Sequence, residues 1–216
     1  MTSRRFEDKT AILTGGAKGI GRATALRYLS EGGRLAVIDQ EAPDSSFADA
    51  LRSEAGQNSQ RLAYIQADAT DEADVARAVQ EAEAALGPAD ILVNNVGFGA
   101  NPTPIETLSL AEWDQFMSIN LTSAFLLTRA VVPGMRERGY GRIVNLASVA
   151  GRSISEISNL HYSTAKAAIL GFTRRLGFAE AEYGICVNSV APGPVFTDRV
   201  RTCLLYTSPS PRDRIA

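Results

Sequence analysis

The stretch Ala11-Ile-Leu-Thr14-Gly-Gly-Ala-Lys-Gly-Ile-Gly21, followed by Leu35-Ala-Val-Ile-Asp39, decides how this chain is read. A short buried strand empties into a glycine turn, and helical spacing then runs from Ile20 to Leu29. A turn that opens a helix receives phosphate well, because unpaired backbone N–H groups and the positive helix end face the anion. Gly15, Gly19 and Gly21 let the backbone approach a pyrophosphate, and Gly21 permits close packing of helix on sheet. Lys18 and Ile20 complete the expected nucleotide loop. Asp39 ends the second strand, where a carboxylate accepts the adenosine ribose hydroxyls and repels a 2′-phosphate. NAD is therefore expected over NADP. Lys18 works against that preference, since a loop cation helps to accommodate NADP.

The same alternation continues outward. Arg61 to Gln66, Ile91 to Asn94, Arg142 to Ala147 and Ile185 to Val190 read as further apolar strands. Helical segments are expected near Ser46 to Glu54, at Ala73 to Leu86, from Leu110 to Val132 ahead of Pro133, and from His161 to Glu182. Nearly continuous apolar strands alternating with helices imply an α/β fold, a doubly wound parallel sheet covered on both faces. Asp68-Ala69 follows the third strand and reads as an adenine contact or a helix N-cap. Asn94-Asn-Val-Gly97 ends the fourth, where ligands sit in open parallel sheets. Asn95 and Gly97 either line the cofactor cleft or brace the sheet.

Tyr162 and Lys166 lie four residues apart, on one helix face, with Ser148 fourteen residues before Tyr162 at a strand end. Free phenol titrates near ~10, so a tyrosine exchanging protons near neutral pH needs a cation such as Lys166 beside it. Ser148 is placed to hydrogen-bond a substrate oxygen as negative charge develops. Asn120, a polar interruption in a long helix, either holds a water that feeds protons to Lys166 or is a satisfied core amide. His161 precedes Tyr162 and should point elsewhere. Pro192-Gly-Pro-Val-Phe-Thr197 follows the sixth strand; Pro192, Gly193, Val195 and Thr197 are expected to close over the nicotinamide.

Composition agrees with this reading. The 216 residues suffice for one sizeable domain, and 45% hydrophobic with 21% charged residues is ordinary for a globular protein. A formal charge of −2 gives no reason to expect nucleic acid or an anionic membrane as partner. Two cysteines, Cys186 and Cys203, and one histidine make neither a disulfide framework nor a metal cluster. No apolar run approaches the roughly 20 residues of a membrane span, and the N-terminus lacks a signal-peptide core. A reducing cytoplasm is the expected compartment.

These motifs resemble the short-chain dehydrogenase/reductase family over Lys9 to Asp198. The resemblance rests on Thr14, Gly15, Gly19 and Gly21, on Asn94 to Gly97, on Asn120, Ser148, Tyr162 and Lys166, and on Pro192-Gly193. It implies a Rossmann fold with strand order 3-2-1-4-5-6-7, a homotetramer or homodimer, and an NAD(P)-dependent oxidoreductase interconverting a secondary alcohol and a ketone. The 3-oxoacyl reductase-like type is the expected substrate class. Asn120, Ser148, Tyr162 and Lys166 become the catalytic tetrad, with Tyr162 and Lys166 also holding the nicotinamide ribose. The alternatives are a catalytically silent dinucleotide sensor and a fragment without function of its own.

Family members continue past this point to a seventh strand. Here Cys203 to Asp213 looks instead like the translation of a transposase-type sequencing adapter. The expected organisation is therefore one incomplete Rossmann domain, residues 1–202, and a non-native or disordered tail, 203–216. Lacking the seventh strand, the sixth becomes an exposed apolar edge, and aggregation is expected.

Overall fold

Thr10–Thr14 (β1), Arg34–Asp39 (β2), Leu62–Gln66 (β3), Ile91–Asn94 (β4), Gly141–Leu146 (β5) and Ile185–Val190 (β6) form one sheet in the order β3-β2-β1-β4-β5-β6. Every pairing is parallel, with Leu13 opposite Val37 on one side and Val93 on the other. The structure, a computed structural model, describes residues 4–99, 102–156 and 158–195. Thr197 and the segment from Cys203 onward lie outside the described residues.

The helices are α1 (Gly19–Ser30), α2 (Ser46–Ala55), α3 (Glu72–Leu86), α4 (Leu110–Met117), α5 (Ser123–Glu137) and α6 (Leu160–Glu180). Strand periodicity sorts the core into two layers. Ala11, Leu13, Leu35 and Val37 pack beneath α1 and α2. Ile12, Ala36, Ile38, Leu92 and Ile143 pack against α3 and α5 on the opposite face, where Ile169 of α6 meets Ala147 and Ala124. Each fully buried leucine or isoleucine in these layers contributes about 1.5–3 kcal/mol. Strand order reverses between β1 and β4. The crevice beyond the strand ends at that switch is where a ligand belongs in such sheets.

The helix expected to stop before Pro133 instead runs on to Glu137. Proline deprives the carbonyl four residues back of its donor. That residue, Arg129, is exposed, so water can take the donor's place, while Val132 and Met135 on the other face remain buried in the core. A π-helical segment, Ser118–Thr122, joins α4 to α5, and Asn120 sits in it. The continuous helix Leu110–Glu137 is apolar and long enough by composition to cross a bilayer, but half of that window is buried within the fold. It reads as a core helix.

On the α1 face, the half-sheet β4–β6 has no helix over it among the described residues. Val93, Val144, Leu146 and Val190 line an open apolar hollow of about 1210 Å³ there. Among the described residues β6 is the edge strand, and Val190 is half exposed.

Candidate active site

A second cleft, about 730 Å³, opens at the β1/β4 switch and falls within the size range of cofactor pockets. Its wall begins at the glycine loop. Gly15 (φ +68°) and Gly19 (φ +54°) use the left-handed region open to glycine. A Cβ on Gly21 would lie 2.0 Å from the Gly15 carbonyl oxygen, so only glycine lets α1 start this close to the loop. Asn95 holds the loop from the far side. Its Nδ2 donates to the carbonyls of Thr14 (3.0 Å) and Gly15 (2.8 Å), while Thr14 Oγ1 accepts the N–H groups of Asn95 and Val96. The brace reading of Asn95 is realised, and its residue also lines the cleft.

At the β2 end of the cleft, Asp39 Oδ2 accepts the Ala17 N–H at 2.9 Å and Oδ1 the Glu41 N–H at 3.1 Å. A carboxylate offers about four acceptor positions, so capacity remains for hydroxyl donors. Asp68 does not cap the helix; Asp71 does, accepting from Asp74 N. Asp68 instead accepts the Thr70 N–H (2.8 Å) and hydroxyl (2.7 Å). The Thr70 backbone bond foremost, with burial opposing it, holds this carboxyl below its usual range. Asp68 and Ala69 both line the cleft, as do Lys18 and Ile20.

The inner end is built on α6. Asn159 caps that helix, its Oδ1 accepting the Tyr162 N–H at 2.9 Å. Tyr162 thus stands in the first turn, at the positive end of the helix dipole. Lys166 follows one turn later, buried, with Nζ donating to Leu146 O at 2.8 Å and lying 5.7 Å from the Tyr162 ring centroid. Burial alone pulls its ammonium down to about 8. Ser148 is also buried, at the end of β5, and its Oγ accepts the Ala150 N–H at 3.2 Å. A Cβ on Gly151 would come within 2.5 Å of the Lys166 backbone, so this glycine lets the Ser148 turn seat directly on α6. Ser148 is not among the cleft-lining residues, whereas Tyr162 and Lys166 are.

Asn120 is a satisfied amide. Its Oδ1 accepts the Phe98 N–H (3.1 Å), and its Nδ2 donates to Phe98 O (3.0 Å) and Phe116 O (3.1 Å). The π segment frees helical groups for this clamp, which fixes the loop holding Gly97. A Cβ on Gly97 would meet both Asn120 Oδ1 and Lys166 Nζ at 2.7 Å. Gly97→Ala must therefore displace the lysine amine, the softer neighbour. A loss of turnover of about 100-fold with a smaller change in melting temperature is expected, from steady-state rates beside thermal unfolding.

Pro192 and Val195 border the apolar hollow. Pro192 O accepts the Val149 N–H at 3.0 Å, which ties this segment to the Ser148 turn. Gly193 lines neither space. His161 points away from Tyr162 as expected: fully buried, it meets the Phe116 ring edge-on at 3.9 Å, with Nε2 3.5 Å from Glu112 Oε1.

The family model described as short chain dehydrogenase matches residues 9–204. This chain belongs to the short-chain dehydrogenase family. Levodione reductase of Leifsonia aquatica is 36% identical over 206 residues, covering 95% of this chain and 76% of that protein. D-beta-hydroxybutyrate dehydrogenase of Cupriavidus necator is 36% identical over 193 residues, covering 89% and 73%. The crystal structure of levodione reductase superposes with a TM-score of 0.86 at 34% identity, covering 93% of this chain and 77% of that one. A 3-oxoacyl-[acyl-carrier protein] reductase with bound NAD from Brucella melitensis gives 0.83 at 30% identity, covering 94% and 77%. As a short-chain dehydrogenase the chain is an oxidoreductase of the alcohol–carbonyl type that uses NAD or NADP.

Several contributors to this short-chain dehydrogenase site were not singled out from sequence. Glu41 and Phe47 line the cleft beside Asp39, and Glu41 was within reach as a second acid at the same strand tip. Beneath the cleft, Asn94 Nδ2 donates to Asn145 Oδ1 (2.8 Å) and Asn145 Nδ2 to Thr173 Oγ1 (3.0 Å). This buried ladder ties β4 through β5 to α6. An asparagine inside the apolar run Arg142-Ile-Val-Asn-Leu was its visible signal.

Proposed function

We propose that this chain interconverts a secondary alcohol and a ketone with NAD(H) in preference to NADP(H). The observation that carries the reading is the buried Lys166 amine beside Tyr162, at the inner end of a cleft whose other end is the glycine loop and Asp39. The residues present fit a dinucleotide. Gly15, Gly19 and Gly21 would admit the pyrophosphate, Asp39 the adenosine ribose, Asp68 and Ala69 the adenine edge, and Lys166 with Tyr162 the nicotinamide ribose. When bound, the nicotinamide supplies or accepts the hydride.

The protein's own part is proton and charge management. Tyr162 exchanges its phenolic proton with the substrate oxygen, with the Lys166 amine one turn away on the same helix. Ser148 Oγ already accepts a backbone N–H, which directs its own hydrogen toward a substrate oxygen where charge develops. Asn120 fixes the Gly97 loop through its bonds to Phe98. Two of the relatives named above handle a 3-oxoacyl or 3-hydroxybutyrate group, which supports a 3-oxoacyl-type substrate. We further assign the chain to the cytoplasm, as a homodimer or homotetramer built from one Rossmann domain, residues 1–202.

The test follows dinucleotide absorbance across a panel of 3-oxo esters and thioesters, cyclic ketones and their alcohols. Turnover with NADH at least tenfold faster than with NADPH on one 3-oxo compound is expected. Tight NADH binding without turnover anywhere on the panel would instead favour a dinucleotide sensor.

A further inference from the structure

We propose that Glu41 is a specificity residue, acting by holding Lys18 out of reach of a 2′-phosphate; the inference rests on reading the cleft as a dinucleotide site. By its position in the glycine loop, Lys18 is a cation suited to welcome the extra phosphate of NADP. The structure gives it other partners. Lys18 Nζ lies 2.5 Å from Glu41 Oε1 and 3.8 Å from the centroid of the Phe47 ring. It is held from one side by charge and from the other by an aromatic face.

Glu41 is tied into the same unit. Its N–H donates to Asp39 Oδ1, and Asp39 Oδ2 accepts the Ala17 N–H from the residue preceding Lys18. Loop, Asp39 and Glu41 thus hold one another in place. Lys18 and Lys166 are the cations lining the cleft among the described residues, and Lys166 belongs to the other end with Tyr162. A 2′-phosphate, carrying about −1.5 to −2 charges, would meet two carboxylates and a neutralised lysine. A bare ribose hydroxyl pays no such electrostatic cost. Asp39 repels the phosphate directly; Glu41 also withdraws the cation that would offset that repulsion.

Because Lys18 is more than half exposed, solvent and salt moderate the pair, and its effect is bounded. The experiment measures dissociation constants for NADH and NADPH by fluorescence titration of the full chain, of Glu41→Gln, of Lys18→Ala, and of the double variant. In Glu41→Gln the NADPH-to-NADH affinity ratio should rise about tenfold, equivalent to about 1.4 kcal/mol. In the double variant most of that gain should vanish, because no freed lysine remains to meet the phosphate. An unchanged ratio in Glu41→Gln overturns the clamp. So does an equal gain in the double variant, since Glu41 would then act through its own charge alone. If the parent chain binds neither nucleotide, or favours NADPH, the site reading fails and the clamp with it. A parent that favours NADH with an unresponsive Glu41→Gln fails the clamp alone.

Discussion

Tyr162→Phe should lower turnover by about 10³-fold while NADH affinity falls far less. Phenylalanine keeps the ring and its place in the first turn of α6, where Asn159 holds the backbone N–H of residue 162. The only group removed is the hydroxyl that exchanges a proton with the substrate oxygen. General acid–base catalysis contributes about 10²–10⁴-fold, and the loss should fall in that range. The measurement pairs single-turnover rates with fluorescence titration of NADH on the same preparation. Retained turnover would remove Tyr162 from the chemistry and leave the cleft as a binding site. A parallel loss of binding and rate would point to a misplaced helix.

Lys166→Met should make the cofactor-free protein more stable and nearly inactive. Burial depresses the lysine from 10.5 to about 8, so the folded state binds its proton more weakly than the unfolded chain does. A base displaced in this direction costs stability below pH 8, where both states carry the charge. The cost fades as pH rises from 8 through 10.5. The displacement is on the order of 3 kcal/mol, and losing the charge-assisted bond to Leu146 O returns about 1.5–3 kcal/mol. A net gain of about 0.5–2 kcal/mol at pH 7 follows, or roughly 1–8 °C in melting temperature for a chain of this size. Urea unfolding at pH 7 and near pH 10.5 is the check: the gain should be present at the first and gone at the second. A variant less stable at pH 7 would mean that the buried ammonium is compensated by contacts beyond Leu146.

Both predictions concern a site that uses stability for function. Lys166 is held in a buried place because its Nζ donates to Leu146 O and Gly97 has no side chain to displace it. The Asn94–Asn145–Thr173 ladder likewise spends hydrogen bonds in the core to tie β4, β5 and α6 into one frame. The Nδ2 bonds of both asparagines hold these elements in register, while Asn94 Oδ1 is buried without a hydrogen-bond partner among the described residues. A fixed frame is what a positioned phenol and amine require.

The order of strands and helices, the glycine turn and the Tyr162/Lys166 pairing were legible from residue types alone. They depend on short-range rules: alternation of apolar residues, the freedom of glycine, and the helical period that puts positions four apart on one face. What lies between distant segments was not legible. Lys18 finds Glu41 and Phe47 only once β2 is paired beside β1. Asn120 became a clamp on Phe98 because a π segment turned its amide inward, and α5 passes through Pro133 because the freed carbonyl lies on an exposed turn. Ser148 reaches α6 only because Gly151 has no side chain to hold them apart. Local pattern sets which elements form, since its energetics are settled within a few residues. The distant partners of Lys18, Asn120 and Asn145 were chosen by packing across twenty or more residues, where no periodicity in the chain carries the information.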